Sequence, residues 1–163
     1  MQFLKLVVLI FATWYLSTNA VFAQNHEGNT VIMRGNIETA DPDKFKWDRN
    51  RFVPWGMTII VIHGDPSKEG PYTFRVRMPT GYKLPPHRHR DERTVTVLKG
   101  TYWTGTGDSF DMRSMDMMEA GSFYITDPDV AHYAWARTEV ILQESGYGPT
   151  DMRWLNPEDD PNY

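Results

Sequence analysis

Residues 85–100 read PPHRHRDERTVTVLKG, and the fold turns on how this stretch is taken. Its second half alternates. Val95 and Val97 fall on one side, Thr94 and Thr96 on the other, and Gly100 ends the run. A period of two marks a strand with one buried face. The first half places His87 and His89 one residue apart, so in extended chain both imidazoles point the same way. If the register runs on unbroken, that is also the side of Val95 and Val97, the inward one. The chain holds five histidines in all. Two of them on one inward face suit Fe, Mn, Cu, Ni or Zn better than Mg or Ca.

Outward from this stretch, the chain is a series of short strand-like segments with Gly- and Pro-bearing turns between them. YTFRVRMP (72–79) sets Phe74, Val76 and Met78 on one face and Arg75 and Arg77 on the other. GMTIIVIHG, GSFYITD, AHYAWAR and EVILQES continue the pattern, and no helical periodicity of any length is present. The expected class is therefore all-β, a sandwich or barrel. One domain is expected from 163 residues, and 13% aromatic residues with six Trp suit a β-protein. A net charge of −4 with no basic stripe argues against nucleic acid as a partner. The absence of Cys excludes disulfides, thiolate metal sites and a cysteine nucleophile.

His132, in DPDVAHYAW, is placed where a turn feeds a strand and could complete a three-nitrogen site. GYKLPPHRHRDERTVTVLKG (81–100), followed by GSFYITDPDVAHYAWA (121–136), resembles the two sequential motifs of the cupin superfamily. Gly81, His87, His89 and Gly100 match the first motif. Gly121 and His132 match the second, with DPDV in place of the usual Pro-x-Gly turn. GDPSKEGPYTFRVRMPTGYKLPPH, GTGDSFD, GYGP and NPEDDP extend the likeness to a group of small single-domain cupins. The resemblance implies a double-stranded β-helix, a small jelly-roll barrel with one metal in its mouth, held by two His, one Glu and a third His. On that basis His87, His89 and His132 are the expected ligands of one divalent transition metal.

The carboxylate does not carry over cleanly. Counting back from Gly100, the position of the family's Glu falls on Arg93, and Glu92 stands one residue early. A one-residue β-bulge would bring Glu92 inward as fourth ligand and leave Arg93 outside. Without a bulge the site is three His and water with Arg93 beside it, which would favour an anionic molecule clamped by the guanidinium. A third reading is a barrel that binds no metal. Tyr124 and Phe123 lie on opposite faces, and one of them is expected to line the pocket; Tyr124 is taken as a substrate-binding candidate.

Met112, Met115, Met117 and Met118 offer thioethers, which select Cu(I), but read better as rim packing. The segment MQFLKLVVLIFATWYLSTNAVFAQ reads as a signal peptide over residues 1–23 cleaved after Ala23, its apolar run being short of the ~20 residues a membrane span needs. The expected layout is then an N-terminal extension over 24–46, the cupin domain over 47–150 and a coil tail over 151–163. The mature protein is expected in the periplasm or secreted, off the membrane after cleavage, and as a homodimer. The leading expectation for function is a metal-dependent oxidoreductase of the dioxygenase type acting on a small molecule. Alternatives are a non-catalytic binding or sensing module and a metal-dependent isomerase or lyase.

Overall fold

The computed structural model describes residues 31–34, 37–40, 44–49 and 53–160. The expected signal peptide, the cleavage site and His26 lie outside the described residues. Among the described residues twelve strands follow in order: β1 Val31–Arg34, β2 Ile37–Ala40, β3 Thr58–His63, β4 Gly70–Met78, β5 Lys83–Arg88, β6 Arg93–Lys99, β7 Thr101–Thr106, β8 Asp116–Glu119, β9 Phe123–Thr126, β10 His132–Ala136, β11 Val140–Gly148 and β12 Arg153–Trp154. Strands β1 and β2 form a hairpin of their own. The rest make two five-stranded antiparallel sheets, in the orders β12-β5-β10-β7-β8 and β3-β4-β11-β6-β9. This is the jelly roll expected from the motifs.

The alternation read from the sequence becomes a stack of rows across the second sheet. Val76, Leu142 and Val97 are in register across β4, β11 and β6, and all are buried. One step toward the mouth come Phe74, Glu144, Val95 and Tyr124, and one step further Tyr72, Gly146, Arg93 and Thr126. Burying the apolar rows supplies the main drive to fold, at roughly 25 cal/mol per Å² removed from water. Gly146 is required where it stands. A Cβ there would lie 2.6 Å from the Tyr72 hydroxyl and 2.8 Å from the Glu92 carbonyl. Gly100 closes the tight β6–β7 turn at φ 88°, with the Glu139 carbonyl 2.2 Å from where a Cβ would sit.

The register from Arg93 to Val97 is unbroken. The bulge that would turn Glu92 inward is absent, so the expectation that Glu92 is the fourth ligand is corrected. Glu92 is exposed and Arg93 is buried. The chain instead bends at Arg90–Asp91, so β5 and β6 belong to facing sheets and the His-x-His segment looks across the barrel at Arg93. Residues 151–160, read as coil, also differ. Arg153 and Trp154 pair with Arg88 and His87, adding β12 to the edge of β5.

Candidate metal centre

His87 lies in β5, His89 just past its end and His132 at the start of β10, directly opposite His87 in the register. All three are buried, and one ring nitrogen from each lies within 4.8 Å of the others. Ring centroids are 4.2 Å apart for His87–His132, 4.9 Å for His87–His89 and 5.2 Å for His89–His132.

Each Nδ1 faces a backbone carbonyl: Pro85 for His87 at 2.8 Å, Val130 for His132 at 3.0 Å, and Asp151 for His89. A carbonyl only accepts, so each Nδ1 carries the proton and each Nε2 keeps its lone pair. Burial pushes the His87 imidazole down to about 3, helped by His132 and Arg93 nearby. His89 is held well below its usual value by burial, then by Arg93, and His132 is lowered by burial first. Three neutral imidazoles with oriented Nδ1–H groups are a donor set that fits a divalent transition metal.

Opposite stands a charged wall. Arg93 is 3% exposed and gives Nη1 to Glu144 Oε2 at 3.0 Å and Nη2 to Asp91 Oδ1 at 2.8 Å. Nη2 also reaches the Thr150 hydroxyl, which donates to Asp91 Oδ1 at 2.6 Å, and the Tyr72 hydroxyl donates to Asp91 Oδ2. Two carboxylates thus offset the one guanidinium, which removes the cost of a bare cation beside a metal. Both terminal nitrogens are thus engaged, while the buried Nε of Arg93 has no hydrogen-bond partner. Burial raises Glu144 above the usual carboxylate range, and Arg93 pulls against that shift.

A cavity of about 490 Å³ separates the walls, lined by the triad, Arg93, Glu144, Tyr102 and Tyr124 among apolar side chains such as Val76, Leu84 and Leu142. The Tyr102 and Tyr124 hydroxyls are 3.2 Å apart; burial pushes Tyr102 up to about 12 and Tyr124 well above its ordinary value. Of the two residues that parity set on opposite faces, Tyr124 lines the cavity and Phe123 faces solvent. The methionines do not converge. Met115 is buried, Met118 packs against the core, and Met112 and Met117 are exposed.

Asp91, Glu144 and Tyr72 were not anticipated. For Glu144 a signal existed, since it shares parity with the buried Val140 and Leu142. For Asp91 none did, because its burial depends on the bend.

The sequence matches the model of the ChrR cupin-like domain over residues 36–147, more than half of the chain. The chain belongs to that cupin family. Solved cupins share the fold at low identity. An RmlC-like cupin from Shewanella frigidimarina aligns with a TM-score of 0.53 at 16% identity, over 66% of this chain and 86% of its own. KdgF from a Halomonas species gives 0.53 at 14%, over 66% and 91%. Salicylate 1,2-dioxygenase from Pseudaminobacter salicylatoxidans gives 0.52 at 14%, but this cupin covers 64% of its own length and only 32% of that enzyme. No match was found among curated proteins. Among the described residues of this cupin, no helix is long and apolar enough to cross a membrane.

Proposed function

We propose that this cupin is a metal-dependent oxidoreductase of the dioxygenase type, acting on a small molecule in the cavity at one divalent transition metal held by His87, His89 and His132. The observation that carries the reading is the triad itself: buried, neutral, converging, and with every Nδ1 tied to a carbonyl. A metal bound there would supply a Lewis-acidic centre, redox-active for Fe, Mn or Cu, with coordination positions left open. The chain's own groups do the rest. Val76, Leu84 and Leu142 supply apolar surface for a ligand between the polar groups. Tyr102 and Tyr124 stay protonated at neutral pH and can donate to a ligand oxygen. Arg93 keeps Glu144 fixed in the second sheet.

A second reading, a metal-assisted lyase or isomerase, is favoured by Glu144, which with the two tyrosines offers proton-transfer groups that need no redox step. Elemental analysis of protein purified from its native compartment, together with oxygen-uptake assays on candidate small molecules, separates the two. Fe, Mn or Cu with uptake supports the oxidoreductase. Zn or Ni without uptake supports the lyase or isomerase. Full occupancy in the His87→Ala and His132→Ala proteins sinks the site.

We also propose export to the periplasm or beyond and assembly as a homodimer. The signal-like segment supports the first, and an intact mass beginning at Gln24 checks it. The second is supported by edge strand β9, which exposes Phe123 at 64% and Ile125 at 59%. Light scattering showing a monomer at micromolar concentration would rule the dimer out.

A further inference from the structure

The family match ends at residue 147, yet the metal centre is completed after it. His87 and His132 each find their Nδ1 acceptor two residues back in the chain. His89 does not. Its acceptor is the carbonyl of Asp151, 62 positions away. The segment 150–155 that carries this carbonyl is a strap moored along its length. Thr150 N donates to the Pro66 carbonyl at 2.8 Å. The Asp151 carboxylate accepts from the backbone N and the Nε of Arg90, both at 2.9 Å. Arg153 pairs with Asp129, whose own N donates to the His89 carbonyl at 2.8 Å. Leu155 N donates to the Pro86 carbonyl at 3.2 Å, and the Trp154 ring stands 5.9 Å from that of His87.

We propose that Asp151 is a positioning residue for the metal centre: anchored by Arg90, it holds its carbonyl against His89 Nδ1, so that docking of the 150–155 strap and metal binding reinforce each other. The inference rests on the metal reading above. Without the Asp151 carbonyl, His89 has a buried donor with no acceptor, its tautomer is no longer fixed, and its ring is no longer aimed. Loss of such an outer partner costs a metal site about 10- to 100-fold in affinity. Linkage requires the converse as well: whatever the strap adds to metal affinity, the metal adds to strap docking.

The test uses the full chain and zinc as the probe. Zinc affinity is measured by chelator competition, and docking by the rate of tryptic cleavage after the exposed Arg153, followed by mass spectrometry. In the wild type, zinc should slow that cleavage. In the His87→Ala protein it should not, which also controls for any action of zinc on the protease. Asp151→Ala, which keeps the carbonyl but loses its Arg90 anchor, should still bind one zinc, about tenfold more weakly, the low end of the range for loss of an outer partner. Asp151→Asn, which keeps an acceptor for Arg90 N, should recover part of the loss. A merely structural role would lower the melting temperature of the zinc-free protein and leave zinc affinity unchanged; that result overturns the proposal. So does a wild type that binds one zinc with no change in Arg153 cleavage, an outcome that leaves the metal reading intact and needs no variant to fold. A wild type that binds no zinc overturns this inference, and the metal reading falls with it if elemental analysis also finds no Fe, Mn, Cu or Ni.

Discussion

The two walls of the cavity bury their titratable groups by opposite routes. The β5–β10 wall buries three titratable rings and keeps them neutral, two of them with no more than a carbonyl two residues back in the same chain. The β6–β11 wall buries a guanidinium and two carboxylates, with Tyr72 and Thr150 filling lone pairs that would otherwise be stranded. The first solution is local and needs only extended chain with His at the right place. The second draws on β4, the bend at Asp91, β6, β11 and the start of the strap, and is incomplete until the barrel has closed. The neutral wall can present donors to a metal. The charged wall instead ties its two carboxylates to Nη1 and Nη2 of Arg93, with the Arg93 Nε left without a partner.

The sharpest way to break the comparison is to remove the hub of the charged wall. Arg93→Ala leaves Asp91 and Glu144 buried without their cation. Deleting one partner of such a buried pair costs about 3–5 kcal/mol, far more than the ion pairs at exposed positions such as Lys99–Glu139. Urea unfolding of the metal-free protein at neutral pH should show that loss. The deficit should shrink as pH falls, because a protonated Glu144 is cheaper to bury than a carboxylate. A change below 1 kcal/mol would mean the network is not what holds this wall.

The same contrast explains which parts were readable in advance. His87, His89 and His132 were legible because strand parity and the flanking glycines are local properties. The barrel was legible from the alternation around them. The bend between His89 and Arg93 was not, since RDE has no Gly or Pro to announce it. Missing the bend hid Asp91 altogether and left open whether Glu92 or Arg93 faced inward. The strap was hidden for a related reason. NPEDDP-type composition reads as coil, and nothing in the residues 151–155 shows that a main-chain carbonyl there will meet a histidine. Main-chain acceptors carry no sequence signature.

Acid should separate the walls by sign. The triad imidazoles titrate below their unfolded value of about 6.5. Between the folded and unfolded values the unfolded chain binds more protons, so stability is lost as pH falls below about 6.5. The slope is about 1.4 kcal/mol per pH unit for each imidazole that stays neutral. Glu144 is raised instead, so through its own range the folded state takes the proton first and stability rises as pH falls. Metal-free Glu144→Gln should therefore show a steeper acid loss than wild type, and His132→Ala a shallower one, in pH-dependent denaturation. For the metal, the depressed imidazoles compete weakly with protons. Occupancy in the folded protein should then persist well below pH 6.5, the point at which unperturbed histidines would release it. Half-loss near 6.5 in a protein that is still folded would contradict the burial of the triad.

The smallest expected effect tests the register on which both walls depend. Glu92 stands beside Arg93 in the chain, yet it is exposed while its neighbour is buried. A bulge of one residue would exchange them and place a carboxylate next to the triad, the arrangement the cupin motif suggests. With the register unbroken from Arg93 to Val97, Glu92→Gln removes only a solvated charge. Stability should change by no more than about 0.5 kcal/mol. Zinc stoichiometry and affinity should match the wild type within error. The comparison that matters is with Arg93→Ala, one position along: a silent Glu92 beside a costly Arg93 is the signature of alternation. If Glu92→Gln weakened zinc tenfold while Arg93→Ala left the fold intact, the strand would be out of phase by one residue. The charged wall described for this protein would then face solvent.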